Sequence, residues 1–181
     1  LVSHGCENSK VTFIYTQNHE LYSMGHHYDV EYPITEIFKQ VQLNMFKHTE
    51  TIQKIECGKR WCILLTNLGA LYGFGQGATG LYDIDVEVEQ RLIPRLINMN
   101  NDDVPIIDVV CAYGHSLALD KNNRLLAWGT NYRNECNPNM ESYIVPTIHP
   151  FFEKNGIKVE KIFAGYARSM VIDINGDCYS F

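Results

Sequence analysis

Four stretches of the chain repeat one arrangement of apolar and polar positions. Each opens with a strand-like run at residues 11–15, 61–65, 115–119 and 168–172, and crosses a polar turn. Each then closes with a second run at residues 21–25, 71–75, 125–129 and 178–181. The first runs are apolar at adjacent positions. Phe13, Ile63, Leu117 and Met170 fall on one face of a strand, and Ile14, Leu64, Ala118 and Val171 fall on the other. A strand of this kind is buried on both sides, as in a sheet stacked between neighbouring sheets.

The turns align as well. They run Thr16-Gln17-Asn18-His19, Thr66-Asn67-Leu68-Gly69, Asp120-Lys121-Asn122-Asn123 and Asp173-Ile174-Asn175-Gly176. Each opens with a side chain able to hydrogen-bond local backbone and closes with a residue type that tolerates positive φ, so one shared turn geometry is predicted. Upstream of three hairpins lies a further β-rich run, at residues 52–57, 106–111 and 159–164, ending at Gly58, Ala112 and Gly165. The unit therefore has at least three strands. A fourth is expected in the connections, for example over residues 91–97, where Pro94 restricts it to a sheet edge or a strand end.

Gly25, Gly75 and Gly129 recur with a period of about fifty residues. Hairpin-bearing units are predicted at approximately residues 1–25, 52–75, 106–129 and 159–181, joined by variable loops. The expected fold is all-β, made of tandem four-stranded blades of a β-propeller. Residues 57–75 and 111–129 resemble the repeat of the regulator of chromosome condensation family: a small residue and Gly, a His or similar residue two positions on, a β-run, a turn, then Leu-Tyr-x-Trp-Gly. The structural repeat positions are Gly25, Gly58, Gly75, Gly129 and Gly165. Departures are visible: Ala112 stands for a glycine, and the family's Gly-Gln-Leu-Gly segment survives only as Gly80-Leu81 and Asn134-Glu135. The resemblance implies a ring of seven blades, which needs roughly 360 residues, so 181 residues correspond to about half a ring. A fragment with open blade faces is expected to be marginal or oligomeric, completed by the remainder of the propeller or a second copy.

Composition narrows the function. The chain is 45% hydrophobic and 20% charged with a formal net charge of -6. No apolar run is long enough for a membrane span, and nucleic acid is not an expected partner because a phosphate-binding surface needs clustered Lys and Arg. A basic protein surface is the better electrostatic match. The six cysteines form no Cys-x-x-Cys pair and there is no Asn-x-Ser/Thr site, which fits reduced thiols and an intracellular location, cytoplasmic or nuclear. Cys57 and Cys111 share a repeat position with Ala164, and Cys62 shares one with Thr12, Ser116 and Ser169, as small core residues would.

Several patterns invite a chemical reading. Gly75-Gln76-Gly77-Ala78-Thr79-Gly80 matches a dinucleotide-binding loop, but residues 81–89 alternate as a strand does instead of opening the required helix. In that segment Asp83, Asp85, Glu87 and Glu89 alternate with Ile84, Val86 and Val88, placing four carboxylates on one face of an extended chain. Two readings stay open there: a solvated strand face, or an acidic docking strip for a basic partner. His115 and Ser116 point to opposite faces of their strand, so they do not form a nucleophile and base. No catalytic residue, cofactor or metal site is assigned.

The leading expectation is a protein-interaction or regulatory scaffold whose variable loops, at residues 26–47, 76–90 and 132–143, contact a protein partner. The resemblance implies a second reading, a guanine-nucleotide exchange factor for a small Ran-like GTPase.

Overall fold

The computed structural model describes residues 2–5, 11–25, 39–47, 49–59, 61–75, 93–99, 102–131, 134, 136 and 142–181. Residues 1–96 and 97–181 form two compact units. The first holds two four-stranded antiparallel sheets, each a simple meander. They consist of β1 (Val2–Gly5), β2 (Val11–Tyr15), β3 (Leu21–Gly25) and β4 (Lys39–Val41), then β5 (Ile52–Cys57), β6 (Trp61–Thr66), β7 (Leu71–Gly75) and β8 (Arg95–Leu96). The second unit holds a third sheet of β9 (Ile106–Cys111), β10 (His115–Asp120), β11 (Leu125–Thr130) and β12 (Ser142–Ile148). After a short helix, α1 (Pro150–Lys154), comes a sheet of β13 (Val159–Gly165), β14 (Arg168–Asp173) and β15 (Cys178–Ser180).

The predicted hairpins share one register, with Val11, Trp61 and His115 opposite Gly25, Gly75 and Gly129. Their turns share one geometry. The fourth turn residue is left-handed in all four, with φ of 63° at His19, 76° at Gly69, 60° at Asn123 and 91° at Gly176. Its N–H donates to the carbonyl of the first turn residue, at 3.1, 2.9, 2.9 and 3.0 Å respectively. The side chain of that first residue supports the turn from inside. Asp120 Oδ1 accepts from the N–H groups of Asn122 and Arg124, and Asp173 Oδ1 accepts from those of Asn175 and Asp177, all at 2.9 Å. Thr16 and Thr66 accept one N–H each in the corresponding place.

The fourth strands lie at sheet edges. β8 follows Pro94 and pairs with β7 at the end of its sheet, and β12 carries Pro146 on the outer edge of its own. Of the strands that precede the hairpins, β1 pairs in an unbroken register and the other three do not. The registers of β5, β9 and β13 skip one residue at Gln53, Ile107 and Glu160, all exposed, giving the same bulge in three sheets.

Burial on both faces holds through β6 and β10, where residues 62–66 and 115–120 are all buried. It does not hold in β14. Ser169 and Val171 are buried on the face toward the third sheet, while Met170, with its cross-strand neighbour Phe163, is 39% exposed on the other. The physical reason is that, among the described residues, the last sheet packs through β13 against β9 and β10 on one side and leaves its other face to solvent. In the first unit, Phe13 of the first sheet meets Phe74 of the second edge to face at 5.5 Å, within a core that includes Ile55, Cys62 and Leu64.

Candidate functional site

The residues singled out in the sequence separate into two groups. Asp83, Asp85, Glu87 and Glu89 lie outside the described residues, as does the glycine-rich stretch at residues 76–80. The repeat glycines lie within them. Gly75 and Gly129 have φ of 97° and 109° at the ends of their strands. A Cβ on Gly129 would sit 2.5 Å from the carbonyl oxygen of Gly114 and 2.6 Å from His115 Cα, so only glycine fits. Gly58 donates its N–H to the Trp61 carbonyl at 2.8 Å to close its hairpin, whereas a Cβ on Gly165 would meet nothing nearer than 3.8 Å.

His115 is fully buried, and its Nε2 lies 2.9 Å from Ser169 Oγ on the next sheet. Ser116 points the other way and donates to Cys111 Sγ at 3.4 Å. The histidine thus couples two sheets through a serine 54 positions on. A second buried polar group is Glu50, whose carboxylate accepts from Thr66 Oγ1 at 2.9 Å, Tyr72 OH at 3.1 Å and the Lys47 N–H at 3.1 Å. Burial, reinforced by the hydrogen bond to Glu50 and its charge, pushes the Tyr72 phenol up to about 12. His149 is the N-cap residue of α1 and has an aromatic setting, with its ring 4.9 Å from those of both Phe152 and Phe181. No three His, Cys, Asp or Glu side chains converge as a metal set among the described residues.

Sequence reasoning missed one surface feature. Tyr113 and Tyr166 occupy the same position in the turns that join the first two strands of the third and fourth sheets, and their rings lie 4.4 Å apart. Tyr166 is 65% exposed. The signal was present in the aligned runs Ala112-Tyr113 and Gly165-Tyr166, where an aromatic residue recurs at a turn that needs none. Exposed tyrosines combine a large apolar face with a polar tip, a composition enriched where proteins meet.

Comparison with known proteins agrees with this architecture. Residues 106–135 match the model of the Regulator of chromosome condensation (RCC1) repeat. An RCC1 repeat-containing protein of Dictyostelium discoideum is 30% identical over 138 residues, covering 71% of this chain and 28% of the relative. The structure of human WBSCR16 superposes with a TM-score of 0.74 at 17% identity, covering 95% of this chain and 45% of that one. That of Prp20p from Saccharomyces cerevisiae gives 0.68 at 19% identity, covering 95% and 41%. The chain spans less than a third of the length of the curated relatives it matches. These sheets are the blades of a partial β-propeller. The chain is an RCC1-like repeat protein.

Proposed function

We propose that the chain is a protein-interaction and regulatory module that works inside the cell, presenting aromatic turns on a blade scaffold. The observation that carries this reading is the Tyr113–Tyr166 pair, in contact with ring planes tilted by 43°, with Tyr166 65% exposed on a turn held by β13 and β14. Two of the buried polar groups are used in the scaffold itself: His115 bonds to Ser169 of the next sheet, and Glu50 ties Thr66 of β6 to Tyr72 of β7 within one sheet. Net charge of -6 and the Asp83, Asp85, Glu87 and Glu89 series favour a basic partner. Prp20p supports the same class, since its structure was described with its binding properties to Gsp1p and histones.

The test is a binding isotherm of the purified chain with core histones. Tyr166→Ala should weaken binding by about tenfold, as loss of an interface tyrosine does. Replacing the four acidic residues by their amides should flatten the salt dependence. Unchanged binding in both variants would overturn the assignment of this surface. The second reading, nucleotide exchange on a small GTPase, rests on the resemblance to yeast RCC1 (Prp20). It requires substoichiometric chain to accelerate nucleotide release across a small-GTPase panel, and no acceleration would remove it.

A further inference from the structure

Cys57 and Cys62 stand directly opposite each other on β5 and β6, with Sγ atoms 3.0 Å apart. The next pair toward the turn, Gly58 and Trp61, carries the ladder hydrogen bond. The cysteines therefore occupy the step of the ladder without hydrogen bonds, where opposite side chains approach most closely. Cα atoms at such a step are about 4.5 Å apart, at the near end of the range a disulfide accepts. The sulfurs are already in contact, so oxidation needs a small rotation of two side chains and no movement of the strands.

The other sheets provide an internal comparison. At the same step Cys111 faces Ser116, and Ala164 faces Ser169. One sheet has two thiols, one has a thiol and a hydroxyl, and one has neither sulfur. Small residues are all that packing requires there, so the second thiol on β6 adds a chemistry that the scaffold does not need.

The geometry points to Cys57 and Cys62 as a redox modification site: a cross-strand dithiol that a peroxide converts to a disulfide. Cys57 is half-buried and Cys62 only 2% exposed, which fixes the order of events. The Cys57 sulfur, its proton lost to solvent, attacks one oxygen of hydrogen peroxide. The O–O bond breaks, and the leaving hydroxide takes a proton to become water. Cys57 is then a sulfenic acid. The Cys62 sulfur attacks the Cys57 sulfur, the S–O bond breaks, and the departing hydroxyl leaves with the Cys62 proton as a second water. Two thiols are oxidised and one peroxide is reduced. Cys62 belongs to the core in which Phe13 meets Phe74, so the cross-link forms beside the packing of the first sheet on the second.

The experiment exposes the reduced full chain to hydrogen peroxide, blocks remaining thiols by alkylation and digests with trypsin. Lys59 and Arg60 lie between the two cysteines, so the disulfide joins two separate peptides, residues 55–59 and 61–91. The expected result is that linked pair, lighter by two hydrogens than its parts, with Cys57 and Cys62 lost to alkylation in parallel and both restored by dithiothreitol. Cys62→Ser places at this step the residue native to β10 and β14. It should abolish the linked pair and raise dimedone labelling of Cys57 above the level in the unmodified chain. Ser116→Cys should create the equivalent link to Cys111. The proposal is overturned if Cys57 and Cys62 both stay alkylatable while the exposed Cys178 is oxidised, or if Cys57 advances to sulfinic acid beside an intact Cys62.

Discussion

His149 shows what a single buried side chain costs. Its ring is 2% exposed, and neither ring nitrogen has a hydrogen-bond partner among the described residues. Burial among Phe152 and Phe181 pushes its pKa down from 6.5 to about 4. The unfolded chain therefore takes up a proton that the folded chain refuses. Stability is highest above pH 6.5 and falls as the pH drops from there towards 4, by a total of about 3 kcal/mol. His149→Leu should remove this slope from a series of denaturant melts between pH 7 and pH 4. At neutral pH it should be neutral or mildly stabilising, because it deletes unsatisfied polar atoms. Glu50 is the opposite case. Glu50→Ala leaves Tyr72 OH, Thr66 Oγ1 and the Lys47 N–H without their acceptor, at an expected cost of about 2–4 kcal/mol in urea unfolding. Glu50→Gln keeps an acceptor and should lose less than half as much.

Within a hairpin, positive φ and close packing are separable causes of a glycine requirement. Gly176 has φ of 91° and open space where a Cβ would stand, so Gly176→Ala meets conformational strain alone and should cost about 1 kcal/mol. Gly129 has φ of 109° together with backbone of Gly114 and His115 in the way, so Gly129→Ala should cost clearly more in the same thermal melts. Equal losses would contradict the distinction. The turns show why this much was legible in the sequence. Their left-handed position demands Gly, Asn or a similar residue, their first position demands a local acceptor, and both demands are written in residue types. The bulges at Gln53, Ile107 and Glu160 were not legible, because an extra residue on an exposed strand edge accepts any side chain and leaves no compositional mark. The pairing of His115 with Ser169 was hidden for another reason: the strand alternation excludes Ser116 but does not say which distant residue completes the contact. Tyr113 and Tyr166 were visible as aligned letters, yet their ring contact is a property of two sheets together.

Beyond the single sheet, the last blade reveals what each blade requires from a neighbour. Phe13, Ile63 and Leu117 are fully buried at the repeat position that Met170 occupies at 39% exposure. Phe163, directly across from Met170, is 42% exposed, and the alternating face continues through Lys161 and the exposed Cys178. An apolar pair on the open face of a sheet gains roughly 2 kcal/mol per side chain when another surface covers it. The 181-residue chain should therefore associate with itself as its concentration rises, seen as an increasing weight-average mass in sedimentation equilibrium under reducing conditions, where Cys178 cannot cross-link. Replacing Phe163 by Ser and Met170 by Thr should weaken that association by at least about tenfold while leaving the melting cooperative, because both side chains are already half in water. Association that persists unchanged in the double variant would place the contact on another face, and a strictly monomeric chain at every concentration would show that this face is stable uncovered.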